Sequence, residues 1–476
     1  MDTFLKVTPE SVGISSRSLL GMMEDLGKLE YLNSIVLLRH GKVCLECYLA
    51  PYRREVPHQL FSLSKSFTSC AIGLAQAEGR LRITDKLISF FPEYEEKITD
   101  PGMKKVTLQD LLTMRSGHKA CATKYMFGRE DYVEAFLASP LDMEPGTTFV
   151  YNSAASYMLS AVIRKVTGEN VREYLMERLF TPLRITPGIW ECCPRGINLG
   201  GWGLSLTTGD LAKFAQLLLQ HGVWEGKQIL PAEYLAEATR KHSDNSMNEK
   251  PDWRCGYGYQ FWVSQHGYRG DGAAGQLAVV LEEQDLCIAV TSCLTNMQDL
   301  LDIFWKDLLP CLNETPLPED PESYQALQNF LKEMKIPVPV SEPIPELPSA
   351  IQFSFQENTA GITQCTLSFQ KDHCSMTFLT SRGPEELRAG FGHFEYSTLQ
   401  LTDSRPHPTG AYAVWGRDQI LEIRSFICDG IYRDIWRVDL SDSGNAEPLT
   451  NQMLCSCFRA AKPRFLLKEA IAVNHK

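Results

Sequence analysis

"HQLFSLSKSFTSCAIGLAQAEG", residues 58–79, sets four serines and one lysine at the opening of an apolar pattern. Phe61, Phe67, Ile72, Leu74 and Ala75 recur at helical rather than alternating spacing, so the stretch reads as a helix. Within it Ser62 and Lys65 form an S-x-x-K pair. Three residues apart on a helix puts both side chains on one face, one turn apart. A desolvated lysine there is neutral enough to take the serine proton. A serine in the first turn also offers its own N–H, with the helix dipole behind it, to a developing oxyanion. Register selects the serine: three residues on from Ser64 stands Phe67, and from Ser66 stands Ser69. The competing reading makes Ser62 a helix cap and Lys65 a solvated charge.

Two further S-x-x-K matches lack this geometry. Ser116 to Lys119 follows "LQDLLTM" and is interrupted by Gly117, at a helix end. Ser368 to Lys371 lies on an alternating segment, where residues three apart face opposite ways. A second polar cluster stands in "MEPGTTFVYNSAASYMLS", residues 143–160, where Tyr151-Asn152-Ser153 precedes a helix. A tyrosine there can share a proton with Lys65, as base and then as acid to the leaving group. The plain alternative is a core tyrosine followed by an Asn or Ser cap. Ser243-Asp244-Asn245 matches the S-D-N motif of class A β-lactamases, but its hydrophilic setting, "RKHSDNSMNEK", predicts a surface loop. The small-residue tract Gly270–Gly275 leads into a strand from Gln276. It would let a substrate backbone approach, with a backbone N–H near Gly275 and Gln276 as second oxyanion donor.

The chain of 476 residues exceeds one ordinary core, and 44% apolar with 22% charged residues is a soluble globular balance. The net charge of −11 is spread without a Lys/Arg block, which argues against nucleic acid or an anionic membrane as partner. The N-terminus lacks a signal-peptide pattern, and the 15 cysteines form no regular framework. Cys44 and Cys47 make a lone C-x-x-C without a second ligand pair, so buried thiols, no metal site and a cytoplasmic location are expected.

Along the chain, a helix over 16–27 precedes two strands joined at His40-Gly41. A helical region follows to about residue 240, then strands at 257–263, 276–283 and 286–293 and a closing helix. This predicts an α/β unit, an antiparallel sheet flanked by helices with an inserted helical subdomain, over 1–312. Residues 313–349 are proline-rich and read as a linker with one short helix at 324–334. Residues 350–476 alternate as a small all-β domain.

With these stretches in this order, residues 8–310 resemble the β-lactamase-related serine hydrolases: class C β-lactamases, D,D-peptidases, family VIII carboxylesterases and 6-aminohexanoate-dimer hydrolases. The resemblance runs through "PESVGISSRSLL", "VLLRHGKV", "VTLQDLLTMRSGH" and "GINLGGWGLSLTTGDLAKFAQLLLQHG" as well as the serine and tyrosine stretches. It implies the β-lactamase/transpeptidase-like fold, Ser62 as the acylated nucleophile, Lys65 as its proton partner and Tyr151 as second base. It also implies Ser153, Gly275 and Gln276 at the substrate and oxyanion positions. Two departures stand out. The tyrosine motif reads Y-x-S, as in the nylon-oligomer hydrolase and esterase branch, where Y-x-N is usual. Ala273 and Ala274 stand where a Lys or His usually precedes the small residues. Both lower the expectation of β-lactamase or D,D-peptidase activity. The expected function is hydrolysis of a small ester, amide or short peptide-like substrate without a cofactor. The alternatives are D,D-peptidase-type activity, or a non-catalytic ligand-binding or assembly protein on the same fold.

Overall fold

In this computed structural model, residues 4–343, 349–358, 361–401, 405–416, 420–439, 450–455 and 467–473 are described. The first sheet has six antiparallel strands: β1 (Leu32–Arg39), β2 (Lys42–Tyr48), β3 (Trp262–Val263), β4 (Tyr268–Gly272), β5 (Gln276–Leu281) and β6 (Leu286–Ser292). Their order is β2-β1-β6-β5-β4-β3. β1 and β2 are joined through His40 and Gly41 at φ 52° and 69°, the two left-handed residues of a type I′ hairpin. All eight residues of β1 are buried because helices cover both faces of the sheet.

Period-two alternation sorts the strand side chains between two cores. Val36, Leu38, Val280 and Ala289 face the core of α2 (Ser64–Ala77), α3 (Ser153–Thr167) and α4 (Thr208–Leu219). Ile35, Leu37, Val279 and Ile288 face α1 (Ser16–Gly27) and α5 (Met297–Ile303). In the proline-rich stretch, α6 (Pro321–Glu333) starts at an Asp320 cap and lays Leu327 into that second core. Gly168, at φ 80°, ends α3 in the left-handed conformation that suits a glycine. The strand expected over 257–263 is confined to Trp262–Val263, since Gln260 turns at φ 65° and its buried amide is spent on the Leu111 and Leu112 carbonyls.

The C-terminal domain is a single, mostly antiparallel sheet, a β half-barrel, with ten strands among the described residues. These are β7 (Ala350–Phe355), β8 (Gln364–Phe369), β9 (His373–Thr380), β10 (Gly383–Phe391), β11 (Glu395–Leu399), β12 (His407–Trp415), β13 (Ile420–Ile427), β14 (Tyr432–Asp439), β15 (Thr450–Cys455) and β16 (Leu467–Val473). The path runs β15-β14-β13-β12-β10-β9-β8-β7-β16, with β11 on β12. Its inward side chains, among them Phe353, Leu367, Met376, Ile423 and Trp436, make a core of their own. This domain is docked on the first. Tyr52 packs with Tyr412 and Phe426, Ile431 with Ala274 and Cys293, and the Arg433 guanidinium lies 3.4 Å from the Tyr31 ring centre.

The β4–β5 connection is tightly specified. Gly275 has φ 89°, and a Cβ there would run into the Ser292 Oγ, which itself bonds the Ala274 and Gly275 carbonyls. Gly275→Ala is therefore expected to destabilise the protein by about 2 kcal/mol, read as a lower thermal midpoint. A midpoint equal to wild type would contradict this packing.

Candidate active site

Ser62 lies in a 3-10 turn, Phe61–Leu63, that feeds directly into α2. Phe61 just before it is left-handed at φ 49°, a costly backbone state for an aromatic residue. The capping alternative fails, since no side chain caps α2 and it is Ser64 that bonds back to the Phe61 carbonyl. Ser62 instead accepts from Lys65 Nζ at 2.9 Å. The same ammonium donates to Ser153 Oγ at 3.0 Å and to the Gly201 carbonyl at 2.6 Å. Lys65 is 1% exposed. Burial lowers its pKa to about 7, against the opposing pull of Cys121 and Asp271.

Tyr151 completes the cluster. Its ring centre lies 4.9 Å from Lys65 Nζ and stacks on Trp262 at 5.4 Å. Burial pushes the phenol pKa up, and hydrogen bonding to Ser62 pulls it part of the way back. Asn152, between Tyr151 and Ser153, is fully buried and points away from Lys65. Its Oδ1 accepts from the N–H groups of Ala122 and Ala154, and its Nδ2 donates to Ser116 Oγ at 3.1 Å. It is the cap of α3, so the serine, not the asparagine, reaches Lys65.

The Ser116/Lys119 decoy pair is spent elsewhere. Ser116 is buried on Asn152 and His118, while Lys119 is ion-paired with Asp142 at the surface. The expectation of a surface loop at Ser243–Asn245 is corrected. Ser243 and Asn245 are 1% and 5% exposed, because Ser243 bridges Tyr257 and the Thr113 carbonyl.

The third stretch also needs correction. Gly275 N–H is taken by the Gly272 carbonyl in the turn. Gln276 is fully buried, its amide bonded to Ala273, Ser292 and nothing in the cleft. The small residue that lines the cleft is Ala273, at the end of β4. A run of small residues carries no register until the strand ends are known, so sequence reading could not say which of them borders the cleft.

The cleft has a volume of about 740 Å³. Ser62, Ser153, Cys121 and Ala273 line it near the lysine, with Phe61, Phe127 and Trp202 as apolar wall. The C-terminal domain contributes Arg405, His407, Ile427, Asp429, Gly430 and Tyr432. His407 Nδ1 is 2.9 Å from both Asp429 carboxylate oxygens, and the Asp429 carbonyl accepts from Gln59 N–H at 2.9 Å, tying this wall to the first domain. Residue spacing gave no signal for this wall. Nor did it for Cys121, whose thiol burial would raise; hydrogen bonding from Thr123 and from the Ser153 and Ala154 N–H groups brings it below its ordinary pKa. Among the described residues no helix is long and apolar enough to cross a membrane.

A buried amine shared between two serines and a tyrosine, on a helical subdomain beside an antiparallel sheet, defines a serine-hydrolase type of centre. Residues 33–302, more than half of the chain, match the family model described as Beta-lactamase, and the protein belongs to that family. It is similar to N-acetylmuramyl-L-alanine amidase of Bacillus subtilis (strain 168), 24% identical over 142 residues, 28% of this chain and 32% of the relative. The match thus spans about a third of that relative's length. Penicillin-binding protein 4 of Amycolatopsis lactamdurans is 24% identical over 300 residues, 54% of this chain and 77% of the relative. Among solved structures, the octameric penicillin-binding protein homologue from Pyrococcus abyssi superposes with a TM-score of 0.50 at 18% identity, covering 86% of this chain and 97% of that one. At that identity the likeness speaks for the fold alone.

Asn152→Ala removes the α3 cap and leaves the Ala122 N–H unpaired in the interior. A loss of about 2–3 kcal/mol is expected in denaturant unfolding. A loss below about 0.5 kcal/mol would refute the structural role given to Asn152.

Proposed function

We propose that this β-lactamase-family serine hydrolase cleaves a small ester or amide through an acyl-enzyme on Ser62. The observation that carries the reading is the Lys65 amine, buried, 2.9 Å from Ser62 Oγ and brought to about 7. At neutral pH a large fraction of that amine is unprotonated and can accept the serine proton as Oγ attacks the carbonyl carbon. Tyr151, hydrogen bonded to the same hydroxyl, passes a proton to the leaving alkoxide or amine and then takes one from the water that releases the acyl group. The backbone N–H groups of Ser62 and Ala273 are the oxyanion donors in this reading. Ser153 holds the third side of the ammonium, which keeps Lys65 aimed at Ser62. No step calls for a metal or organic cofactor.

The ester-type reading is favoured by β4, which meets α2 and Leu60 with Gly270 and Gly272 and presents no cation there. One observation favours D,D-peptidase-type action as second reading: a cation, Arg405 of the C-terminal domain, is among the residues that line the cleft.

A panel of short-chain esters, linear amide oligomers, D-amino-acid amides and a chromogenic cephalosporin discriminates these. Turnover of an ester or amide is expected to fall by about 10³-fold or more in Ser62→Ala. In wild type kcat/KM is expected to rise with pH through about 7, as Lys65 loses its proton. Full turnover in Ser62→Ala would overturn the reading, and preference for substrates with a free carboxylate would shift it to the second.

A further inference from the structure

The cation that β4 does carry, Arg269, faces away from the cleft. Gly270 and Gly272 look toward α2 and Leu60, where a Cβ on Gly270 would stand 3.0 Å from Ser66 Oγ. Arg269 and Asp271 lie on the opposite face, 0% and 9% exposed, with Nε and Oδ2 3.0 Å apart. Arg269 also donates to the Asp252 carbonyl at 3.0 Å and to Ser264 Oγ. Its guanidinium lies 4.4 Å from the Trp253 ring centre and 5.8 Å from that of Trp262. Trp262 stacks at 25° on Tyr151, whose ring also receives the Lys65 ammonium. Contacts therefore run unbroken from Arg269 through Trp262 and Tyr151 to Lys65.

A buried ion pair gains little over apolar side chains of the same volume. Its placement is better explained by what it holds. We propose that Trp262, anchored by the Arg269–Asp271 pair, is a positioning residue that fixes the Tyr151 ring against Lys65. Asp271 in turn holds the Arg269 guanidinium, which lies against both Trp253 and Trp262. The inference rests on Lys65 being the proton acceptor of the acylation step.

The test is the rate of Ser62 labelling by a fluorophosphonate against pH, in the full chain. In wild type the rate is expected to rise with pH through an acid limb to a plateau. Trp262→Leu is expected to slow labelling on the plateau about tenfold, while Trp262→Phe, which keeps a ring for Tyr151, retains most of the rate. A wild-type plateau in Trp262→Leu, or a Trp262→Phe plateau as low as that of Trp262→Leu, overturns the inference and leaves the Lys65 role standing. Lys65→Met separates the two: it should stop labelling or leave a rate without the acid limb. A limb that survives there overturns the proton-acceptor role itself, and this inference with it.

Discussion

The centre is organised around one desolvated amine. Lys65 is carried inside the protein by α2, most of whose residues are buried, and its ammonium meets two hydroxyls and one carbonyl. An ammonium taken from water without a carboxylate in direct contact is costly, and the protein relieves the cost by loosening the proton. That single constraint fixes three stretches of chain far apart in sequence. Ser62 must sit one turn earlier on the same face, Ser153 must open α3 toward it, and Gly201 must bring its carbonyl close. Gly201 does so with no side chain, where a Cβ would press on the Ser153 carbonyl.

Around that amine the two domains divide the work. The sheet and helices of the first hold the Ser62–Lys65–Tyr151 cluster. The C-terminal half-barrel closes the far side of the cleft through the His407–Asp429 pair and the Asp429–Gln59 backbone bond. The apolar Phe61, Phe127 and Trp202 stand opposite. The cleft is thus shaped by side chains from both ends of the chain, with the Ser62–Lys65–Tyr151 cluster confined to one of them.

Much of this was legible in the residues. The helix at 16–27, the His40-Gly41 hairpin and the selection of Ser62 by register all follow from local periodicity and turn chemistry, which depend on near neighbours. The Y-x-S form was legible through the family resemblance alone; that Asn152 caps α3 while Ser153 meets Lys65 comes from their hydrogen bonds. What was not legible depends on distant partners. Ala273 rather than Gly275 or Gln276 borders the cleft because the turn spends the Gly275 N–H and the interior absorbs the Gln276 amide. Ser243 is buried because Tyr257 and Thr113 come to it from elsewhere in the chain. The inward-facing Arg269 was hidden for the same reason: alternation says that faces differ, and only tertiary packing says which is which.

The account's central claim is tested most directly by trapping the covalent intermediate. The protein would be quenched in acid during turnover of a good ester substrate, digested, and mapped by mass spectrometry. The account predicts the acyl mass on the peptide containing Ser62, at that residue, and its absence when Ser62 is alanine. An acyl group on Ser153 or Cys121 instead, or turnover with no covalent adduct under single-turnover quenching, would contradict it.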